Sequence, residues 1–364
     1  MRKIAVVGAG KIGSAIVDML RSSGAYQVAV LDRDPGRLRA AEAGLEQISV
    51  DVADSAALAR SLEGAFAVIS AAPYQLTVPI AQAVKMAGAH YLDLTEDVAA
   101  TREVRALAEG ADSAFIPQCG LAPGFISIVA SDLARRFDDL HEVRLRVGAL
   151  PRYPTNGLNY NLTWSTGGVI NEYCEPCEAI VQGRRQEVAA LEGLEEFALD
   201  GVTYEAFNTS GGLGSLCETL AGKVRNLNYR TIRYPGHAAI MRTLLDDLGL
   251  RHRRDLLKDI LERAVPATMQ DVVIVFVTVS GMKAGALMQE TYVNKIYAQP
   301  VAGTQKSAIQ ITTAASVCAV ADMLASGDLP SRGFIRQEDI PLDRFLANRF
   351  GRWYAGDDQA LRSA

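Results

Sequence analysis

Residues 4–13 carry the strongest structural signal in the chain, with the sequence Ile4-Ala5-Val6-Val7-Gly8-Ala9-Gly10-Lys11-Ile12-Gly13. Four apolar residues predict a short buried strand, and the glycines behind it are spaced G-x-G-x-x-G ahead of a predicted helix. Gly8 allows a tight turn, Gly10 lets the backbone approach a phosphate, and Gly13 lets the helix pack closely on the strand. The free N–H groups of the helix start favour a phosphate there. A glycine-rich turn without a ligand is the alternative, and the strand–loop–helix context argues against it.

The second predicted strand ends in an acidic residue, Asp32. A carboxylate at this point accepts hydrogen bonds from the ribose hydroxyls of NAD and repels the 2′-phosphate of NADP. Arg33 follows directly and could bind that phosphate, so NAD is favoured and NADP stays open. Asp51, after the third strand, either contacts the adenine or caps a turn. The predicted cofactor-binding residues are Gly8, Gly10, Lys11, Ile12, Gly13, Asp32, Arg33, Asp51, Ala71, Ala72 and Pro73.

Short β-branched runs alternate with amphipathic segments in the N-terminal part of the chain, which predicts an α/β fold with a doubly wound parallel Rossmann sheet. The predicted strands are Lys3–Val7, Gln27–Leu31, Gln47–Val50, Ala67–Ser70, Tyr91–Leu94 and Ala114–Ile116. The predicted helices are Lys11–Ser22, Pro35–Ala43, Ser55–Leu62, Val78–Ala87 and Val98–Glu109.

The pattern changes after Pro123 and predicts a second, α+β domain built on a more open sheet. Its predicted elements are a helix over Ser127–Phe137, strands over Glu142–Gly148, Glu195–Leu199, Val202–Ala206 and Val272–Val279, and an irregular stretch over Leu150–Gly168. A last helix over Ser307–Ser326 belongs to a segment expected to return to the first domain. The predicted domains are therefore 1–125, 126–304 and 305–364.

Composition limits the possible functions. A chain of 364 residues predicts more than one domain. The formal net charge of −5 offers no basic field for nucleic acid or an anionic membrane. The longest apolar run, Val272–Val279, is too short to span a membrane and is read as a buried strand. Met1-Arg2-Lys3 leads into a short strand, so no secretory signal is expected.

Five cysteines, an odd number, argue against a disulfide framework and for a reducing, cytoplasmic setting. Cys174 and Cys177 have C-x-x-C spacing, but no second pair of ligands matches them, so no metal site is predicted. The thiols are expected to be ordinary side chains near a helix end.

Beyond the glycine loop, several motifs resemble the saccharopine dehydrogenase-like family. They include Ala71-Ala72-Pro73-Tyr74 and the turn Cys119-Gly120-Leu121-Ala122-Pro123-Gly124-Phe125, although Ala122 stands where many members carry Asp. The segments that resemble lysine 6-dehydrogenases are Leu158-Asn159-Tyr160, Thr163-Trp164-Ser165, Asn171-Glu172-Tyr173, 206–212 and 229–237. This resemblance covers nearly the whole chain. It implies NAD-dependent oxidation of the ε-amino carbon of L-lysine to allysine, which cyclises to a piperideine carboxylate. It also implies that the second domain binds the substrate and that two chains form a homodimer through the open sheet of this domain.

Amine oxidation needs a proton acceptor and a hold on the far end of the substrate. Asp93, at the carboxyl end of a parallel strand, is favoured over Glu96 as a cleft residue. Tyr74 either faces the substrate or packs at a domain interface, and His237 either takes the amine proton or starts a helix. The predicted catalytic residues are Asp93, Tyr74 and His237. The predicted substrate-binding residues are Cys119, Gly120, Glu172, Ser210, Gly211, Arg225 and Arg233, with an arginine fork on the α-carboxylate.

Two other functions stay open from the sequence. The first is an enzyme of the same fold that acts on a secondary amine such as saccharopine or a carboxylated polyamine. The second is a regulator that binds the dinucleotide without catalysis. Turnover of free lysine separates the first from a lysine dehydrogenase, and tight NADH binding without turnover would identify the second.

Overall fold

The computed structural model describes residues 1–34 and 45–355. The helix predicted over Pro35–Ala43 therefore lies outside the described residues. The chain divides into two compact units. The first comprises residues 1–128 and 300–304 and the chain from Gln310 onward, and the second comprises residues 129–299 and 305–309. The first unit thus ends three residues later than the predicted boundary at 125, and the predicted third segment divides after residue 309.

The first unit is built on one parallel sheet of seven strands. Those of its N-terminal part are β1 (Arg2–Val7), β2 (Tyr26–Asp32), β3 (Glu46–Ser49), β4 (Ala67–Ser70), β5 (His90–Asp93) and β6 (Ala114–Ile116). Its helices there are α1 (Lys11–Ser22), α2 (Ser55–Ser61), α3 (Thr77–Ala87) and α4 (Val98–Ala108). The sheet order is β3-β2-β1-β4-β5-β6 with the short strand Gly333–Phe334 at the far edge. This order reverses between β1 and β4, which is where doubly wound sheets bind ligands, so the predicted Rossmann architecture is confirmed.

The second unit is built on a mixed sheet of eight strands. In chain order the elements are α5 (Phe125–Ala134), which begins in the first unit, β7 (Asp139–Pro151), α6 (Thr166–Cys174), β8 (Cys177–Val181), β9 (Arg184–Val188), β10 (Glu195–Leu199), β11 (Val202–Asn208), α7 (Leu216–Thr219), β12 (Val224–Arg233), α8 (His237–Arg242), α9 (Arg254–Ala264), β13 (Asp271–Lys283) and β14 (Ala286–Tyr297). The path is β10-β11-β12-β7-β13-β14, with β8 and β9 attached beside β12. Only β12 and β7 pair in parallel along it, so the predicted α+β domain is confirmed.

Several predicted boundaries in this unit were wrong. The strand predicted over Glu142–Gly148 is part of the longer strand β7. The stretch predicted to be irregular over Leu150–Gly168 begins inside β7 and ends inside α6. Strands β8, β9, β12 and β14 had not been predicted. Strands β9 and β14 are largely exposed and lack a continuous apolar face, which is why their sequences gave no clear strand pattern.

The C-terminal segment of the first unit holds a long apolar helix. The remaining elements are β15 (Gln299–Val301), β16 (Thr304–Lys306), α10 (Ala308–Ser326), β17 (Gly333–Phe334) and α11 (Leu342–Ala347). By length and composition α10 could cross a membrane, but 89% of its apolar window is buried inside the protein, as in the core helix of a globular domain. The segment packs on the N-terminal part: Tyr354 stacks on Phe125 with ring centroids 3.8 Å apart, and β17 pairs with β6.

Candidate functional site

The glycine loop joins β1 to α1 and leaves room for a phosphate. Gly8 has φ of +107°, and an added Cβ would lie 2.8 Å from the carbonyl oxygen of Ala71. An added Cβ on Gly13 would lie 1.8 Å from the Gly8 carbonyl oxygen. On Gly10 it would meet nothing within 4 Å, and no side chain of the described residues caps α1 at this residue. The loop therefore packs tightly on its inner side and is open at the helix start, as a bound pyrophosphate requires.

The other predicted cofactor residues surround this loop or lie near it. Lys11 and Ile12 form the first turn of α1, and the backbone of Ala71 packs directly against Gly8. Ala72 and Pro73 continue from there along the ligand edge of the sheet. Asp51 is exposed, and its Oδ1 accepts the Ala53 N–H at 3.0 Å, so it forms the turn that was one of its two predicted roles.

Asp32 ends β2 and is tied to the glycine loop. Its Oδ2 accepts the N–H of Ala9 at 2.7 Å, and its Oδ1 accepts the N–H of Asp34 at 2.9 Å. The carboxylate is therefore held beside the phosphate-binding turn, with lone pairs left for the hydroxyls of a ribose. Arg33 is exposed next to it.

Asp93 is buried at the end of β5, and both oxygens of its carboxylate accept hydrogen bonds from the protein itself. Oδ1 accepts the N–H groups of Gln118 and Thr95 at 2.8 and 3.1 Å, and Oδ2 accepts the Tyr91 hydroxyl at 2.9 Å. Burial raises the pKa of Asp93 to about 6, although these three hydrogen bonds oppose the rise. The side chain is only 1% exposed, so the structure does not support the predicted cleft position. Asp93 instead orders the turn that leads to Cys119.

The predicted lining residue Cys119 is fully buried as well. Its thiol lies 3.0 Å from the carbonyl oxygen of Ile116 and 3.2 Å from Nε2 of Gln337. Burial, with the Asp93 carboxylate nearby, raises the pKa of the Cys119 thiol well above its ordinary value. The thiol is therefore a packing group and not a nucleophile. Gly120 adjoins it, and an added Cβ there would lie 3.3 Å from the Pro123 carbonyl oxygen. Tyr74, by contrast, is partly exposed at the start of a short 3₁₀ turn after Pro73.

In the second unit, four segments that carry the family resemblance meet around Arg233. This residue ends β12 and is 2% exposed. Its Nε donates to the Tyr173 hydroxyl at 3.0 Å and its Nη1 to the Ile232 carbonyl oxygen at 2.9 Å. The guanidinium carbon lies 5.0 Å from the ring centre of Tyr160. Burial works against the charge, but Tyr173, Tyr160 and Glu172 together hold the pKa of Arg233 above its ordinary value.

His237 begins α8 beside the same tyrosine. Its Nε2 lies 3.1 Å from the Tyr173 hydroxyl, and its Nδ1 lies 2.9 Å from the Leu158 carbonyl oxygen. Burial, then the positive charge of Arg233, lower the pKa of His237 to about 3. Since both ring nitrogens are engaged and the ring is 1% exposed, the geometry argues against the predicted role as acceptor of an amine proton.

The remaining predicted substrate residues separate into two groups. Glu172 is buried on α6, next to Tyr173, and the backbone N–H of Ser210 donates to its carbonyl oxygen at 3.0 Å. Gly211 follows with φ of +83°. Arg225 is exposed at the opposite end of β12 from Arg233, which at roughly 3.3 Å per residue places the two backbones about 26 Å apart. The two backbones are therefore too far apart for both side chains of one chain to hold the same small carboxylate, and Arg225 was the weaker of the two candidates.

Tyr173 and Tyr160 had no predicted role, although both stand in segments quoted for the resemblance. Their place in those segments, with Tyr173 directly after the predicted residue Glu172, was the signal that could have found them. Two side-chain oxygens on neighbouring segments, Asn161 Oδ1 and Thr209 Oγ1, are buried and make no hydrogen bond to the described part of the chain. Such atoms mark places that favour a polar ligand or an ordered water.

Comparison with known proteins agrees with both halves of the chain. Residues 4–116 match the family described as Saccharopine dehydrogenase NADP binding domain, and residues 120–350 match Saccharopine dehydrogenase C-terminal domain. The first match and the glycine loop confirm the prediction that the chain binds a nicotinamide dinucleotide, NAD(P). Within the described residues no group of three His, Cys, Asp or Glu side chains is placed to hold a metal.

Two solved structures share the fold. The apo saccharopine dehydrogenase (L-Glu forming) of Saccharomyces cerevisiae is 16% identical and superposes with a TM-score of 0.80 over 95% of this chain and 97% of that one. The homospermidine synthase of Legionella pneumophila in complex with NAD is 13% identical, with a TM-score of 0.66 over 98% of this chain and 90% of that one. At these identities the likeness establishes the architecture alone.

Proposed function

The chain belongs to the saccharopine dehydrogenase family, and from this membership we propose that it oxidises the ε-amino carbon of L-lysine with NAD. The family also confirms the prediction of an NAD(P)-dependent oxidoreductase. The oxidised substrate would be an imine, which water hydrolyses to allysine with release of ammonia. Allysine then cyclises to a piperideine carboxylate with loss of water. When bound, the nicotinamide ring accepts a hydride from the carbon that carries the amine.

One observation carries the choice of an amino-acid substrate, namely the buried charge of Arg233. Among the described residues, no carboxylate lies within ion-pair distance of its guanidinium. Glu205 lies opposite Arg233 on β11, and its two carboxylate oxygens accept hydrogen bonds from the N–H groups of Gly236 and Ala238 at 2.8 and 2.6 Å. A buried cation without an ion-pair partner is costly. An anionic ligand group offsets that cost, and a planar guanidinium suits a carboxylate best.

The surroundings of Arg233 also suit the α-ammonium group of an amino acid. Glu172 is buried close enough to act on the charge of Arg233. Asn161, the residue after Tyr160 in sequence, has a buried side-chain oxygen without a hydrogen bond among the described residues and is a further candidate acceptor. Carboxylate and amide oxygens are what an ammonium group binds. Together these groups favour a zwitterionic head group, which L-lysine has and a simple diamine lacks.

The first unit supplies the groups for NAD. The N–H groups at the start of α1 would hold the pyrophosphate, and Asp32 would accept the ribose hydroxyls. Asp32 favours NAD over NADP because its charge repels a 2′-phosphate. Of the three predicted proton acceptors, Tyr74 is the one whose side chain is partly exposed, and it follows Pro73 at the ligand edge of the sheet. We assign the amine proton to this residue or to water.

NADH formation from NAD tests the proposal. L-lysine should support it at about pH 9 to 10, where the ε-amine is partly neutral, and NADP should support it more weakly. Arg233→Lys should lower kcat/KM for lysine by about a hundredfold, since one point charge replaces a bidentate fork. Arg225→Lys is the matched control on the same strand and should leave kcat/KM unchanged. Turnover of saccharopine or carboxynorspermidine without turnover of lysine would replace the substrate, and NADH binding without any turnover would make the chain a regulator.

We propose further that two chains pair through the sheet of the second unit. Its edge strand β14 carries several exposed apolar side chains, Leu287, Met288, Val293 and Tyr297. An exposed edge with apolar side chains favours pairing with another copy. Light scattering after size exclusion should give twice the mass of the chain, and Val293→Lys should give the single mass. A monomer from the unaltered protein would contradict the pairing.

A further inference from the structure

The hydrogen bonds around Arg233 form a relay that runs in one direction, from Arg233 through Tyr173 and His237 to the Leu158 carbonyl oxygen. The guanidinium has only donors, so the Tyr173 oxygen accepts from Nε at 3.0 Å. Tyr173 has one proton, which then points to Nε2 of His237 at 3.1 Å. Nε2 must be unprotonated to accept it, so the ring proton lies on Nδ1 and is donated to the Leu158 carbonyl oxygen at 2.9 Å. From Nε of Arg233 to the Leu158 carbonyl oxygen, each donor in this series therefore faces an acceptor.

Burial keeps this relay in one protonation state. Tyr173 and His237 are 0% and 1% exposed. Burial raises the pKa of the Tyr173 hydroxyl, and burial with the charge of Arg233 lowers the pKa of His237 to about 3. The tyrosine therefore stays protonated and the histidine stays neutral across the working pH range. A neutral relay adds no charge that would compete with a ligand for Arg233.

Aromatic packing holds the members of the relay in place. The Tyr160 ring lies under the guanidinium and meets His237 edge to face, with centroids 5.4 Å apart. Phe207 contacts Tyr173 at 5.6 Å and stacks on His237 at 6.3 Å. With Nε and Nη1 bonded and one face covered, the plane of the guanidinium is set. The bonds of Arg233 within the described residues use Nε and one N–H of Nη1, which leaves Nη2 and the second N–H of Nη1 to bind a carboxylate.

We infer that Tyr173 and His237 are positioning residues, which hold the Arg233 guanidinium in the orientation that receives a substrate carboxylate. This inference rests on the proposed function, because it assigns the carboxylate of the amino acid to Arg233. A fork held in advance loses less conformational freedom when the ligand binds, so the relay raises affinity without touching the substrate.

The test compares two tyrosines that lose one hydroxyl each. Tyr173→Phe removes the acceptor of Nε of Arg233. Tyr234, the residue after Arg233 in sequence, donates a hydrogen bond of 2.9 Å to the Pro151 carbonyl oxygen, and Tyr234→Phe removes only that bond. Tyr173→Phe should raise the KM for L-lysine about tenfold with kcat within about twofold, because a hydrogen bond to a charged group is lost. It should leave the affinity for pentane-1,5-diamine, which is lysine without its carboxylate, unchanged. Tyr234→Phe should change neither value, at a similar melting temperature.

A second comparison tests the histidine. His237→Gln keeps a neutral acceptor for Tyr173 and should retain most of the affinity for lysine. His237→Leu removes the acceptor and should raise KM as Tyr173→Phe does. Equal effects of the two His237 variants, or of Tyr173→Phe and Tyr234→Phe, would overturn the inference.

Nitrogen-15 resonances of His237 give a readout that needs no turnover. They should show the Nδ1–H tautomer at every pH from about 5 to 9. An Nε2–H tautomer would overturn the relay whatever the substrate is. If the unaltered enzyme fails to oxidise lysine while the tautomer is as expected, the proposed function falls and the relay stands as a structural network around Arg233.

Discussion

Asp32 and Ala9 are joined by a hydrogen bond of 2.7 Å from the backbone N–H of Ala9 to the carboxylate of Asp32. The carboxylate that we propose selects the nucleotide is thereby fixed to the loop that we propose receives its phosphates. Removal of the carboxylate should therefore affect both the ribose contact and the position of the loop.

Asp32→Ala should raise the KM for NAD about tenfold or more, because hydrogen bonds to a charged acceptor are lost. The KM for NADP should rise less or fall, since the repulsion of the 2′-phosphate disappears. Initial rates with both cofactors measure the change. Asp54→Asn is the control: it replaces an exposed carboxylate that caps α2 through the Ala57 N–H. A ratio of NAD to NADP efficiency unchanged by Asp32→Ala would refute this role.

The two glycines at the start of α1 should respond differently to alanine. Gly10 has φ of −72° and open space around an added Cβ, so Gly10→Ala should keep the stability of the protein but obstruct the phosphate and raise the KM for NAD. Gly13→Ala would place its Cβ 1.8 Å from the Gly8 carbonyl oxygen. It should lower the free energy of unfolding by roughly 1–3 kcal/mol. Chemical denaturation and cofactor titration separate the two effects. Loss of stability in Gly10→Ala would contradict the open space around Gly10 at the start of α1.

The buried Asp93 should make stability depend on pH. Its folded pKa of about 6 lies above the ordinary value of 3.8. Between these two values the unfolded chain ionises first, so the free energy of unfolding should fall as pH rises from about 4 to 6, by about 3 kcal/mol from this group. Asp93→Asn keeps an oxygen for the N–H groups of Gln118 and Thr95 but cannot ionise. The difference in unfolding free energy between the two proteins should therefore change across that range, and a constant difference would show that Asp93 does not titrate there.

Glu205 should support the start of α8 and with it His237. Its two oxygens accept the N–H groups of Gly236 and Ala238, and it is 3% exposed. Glu205→Gln places an amide donor against one of those donors and should cost about 2 kcal/mol of unfolding free energy. It should also raise the KM for lysine by displacing the relay. Glu196→Gln, the exposed neighbour on β10, is the control, and equal stability losses in both variants would argue against the cap.

Some features could be predicted from local sequence because the physics involved is local. A strand, a glycine turn and a helix start lie within residues 4–13, and Asp32 follows from the length of one βα unit. The same holds for the helix that begins at His237 after Pro235-Gly236. The structure reproduces these elements with only small changes in their bounds.

The site in the second unit could not be predicted in this way. Arg233, Tyr173, His237 and Leu158 are up to 79 positions apart in sequence, and only tertiary contacts between a strand end, two helices and a loop join them. From the sequence, Arg225 was a weaker candidate than Arg233 for the substrate carboxylate, and only the strand that places the two at opposite ends shows how far apart they lie.

Burial decided the rest. Asp93 and His237 have the residue types of an acid and a base, and the sequence marked them as such. Whether a titratable group can exchange a proton with a ligand depends on its exposure and on which partners already occupy its atoms. Those are properties of the packed chain, set by contacts between distant segments, whereas the Rossmann unit and its cofactor follow from residues that are neighbours along the sequence.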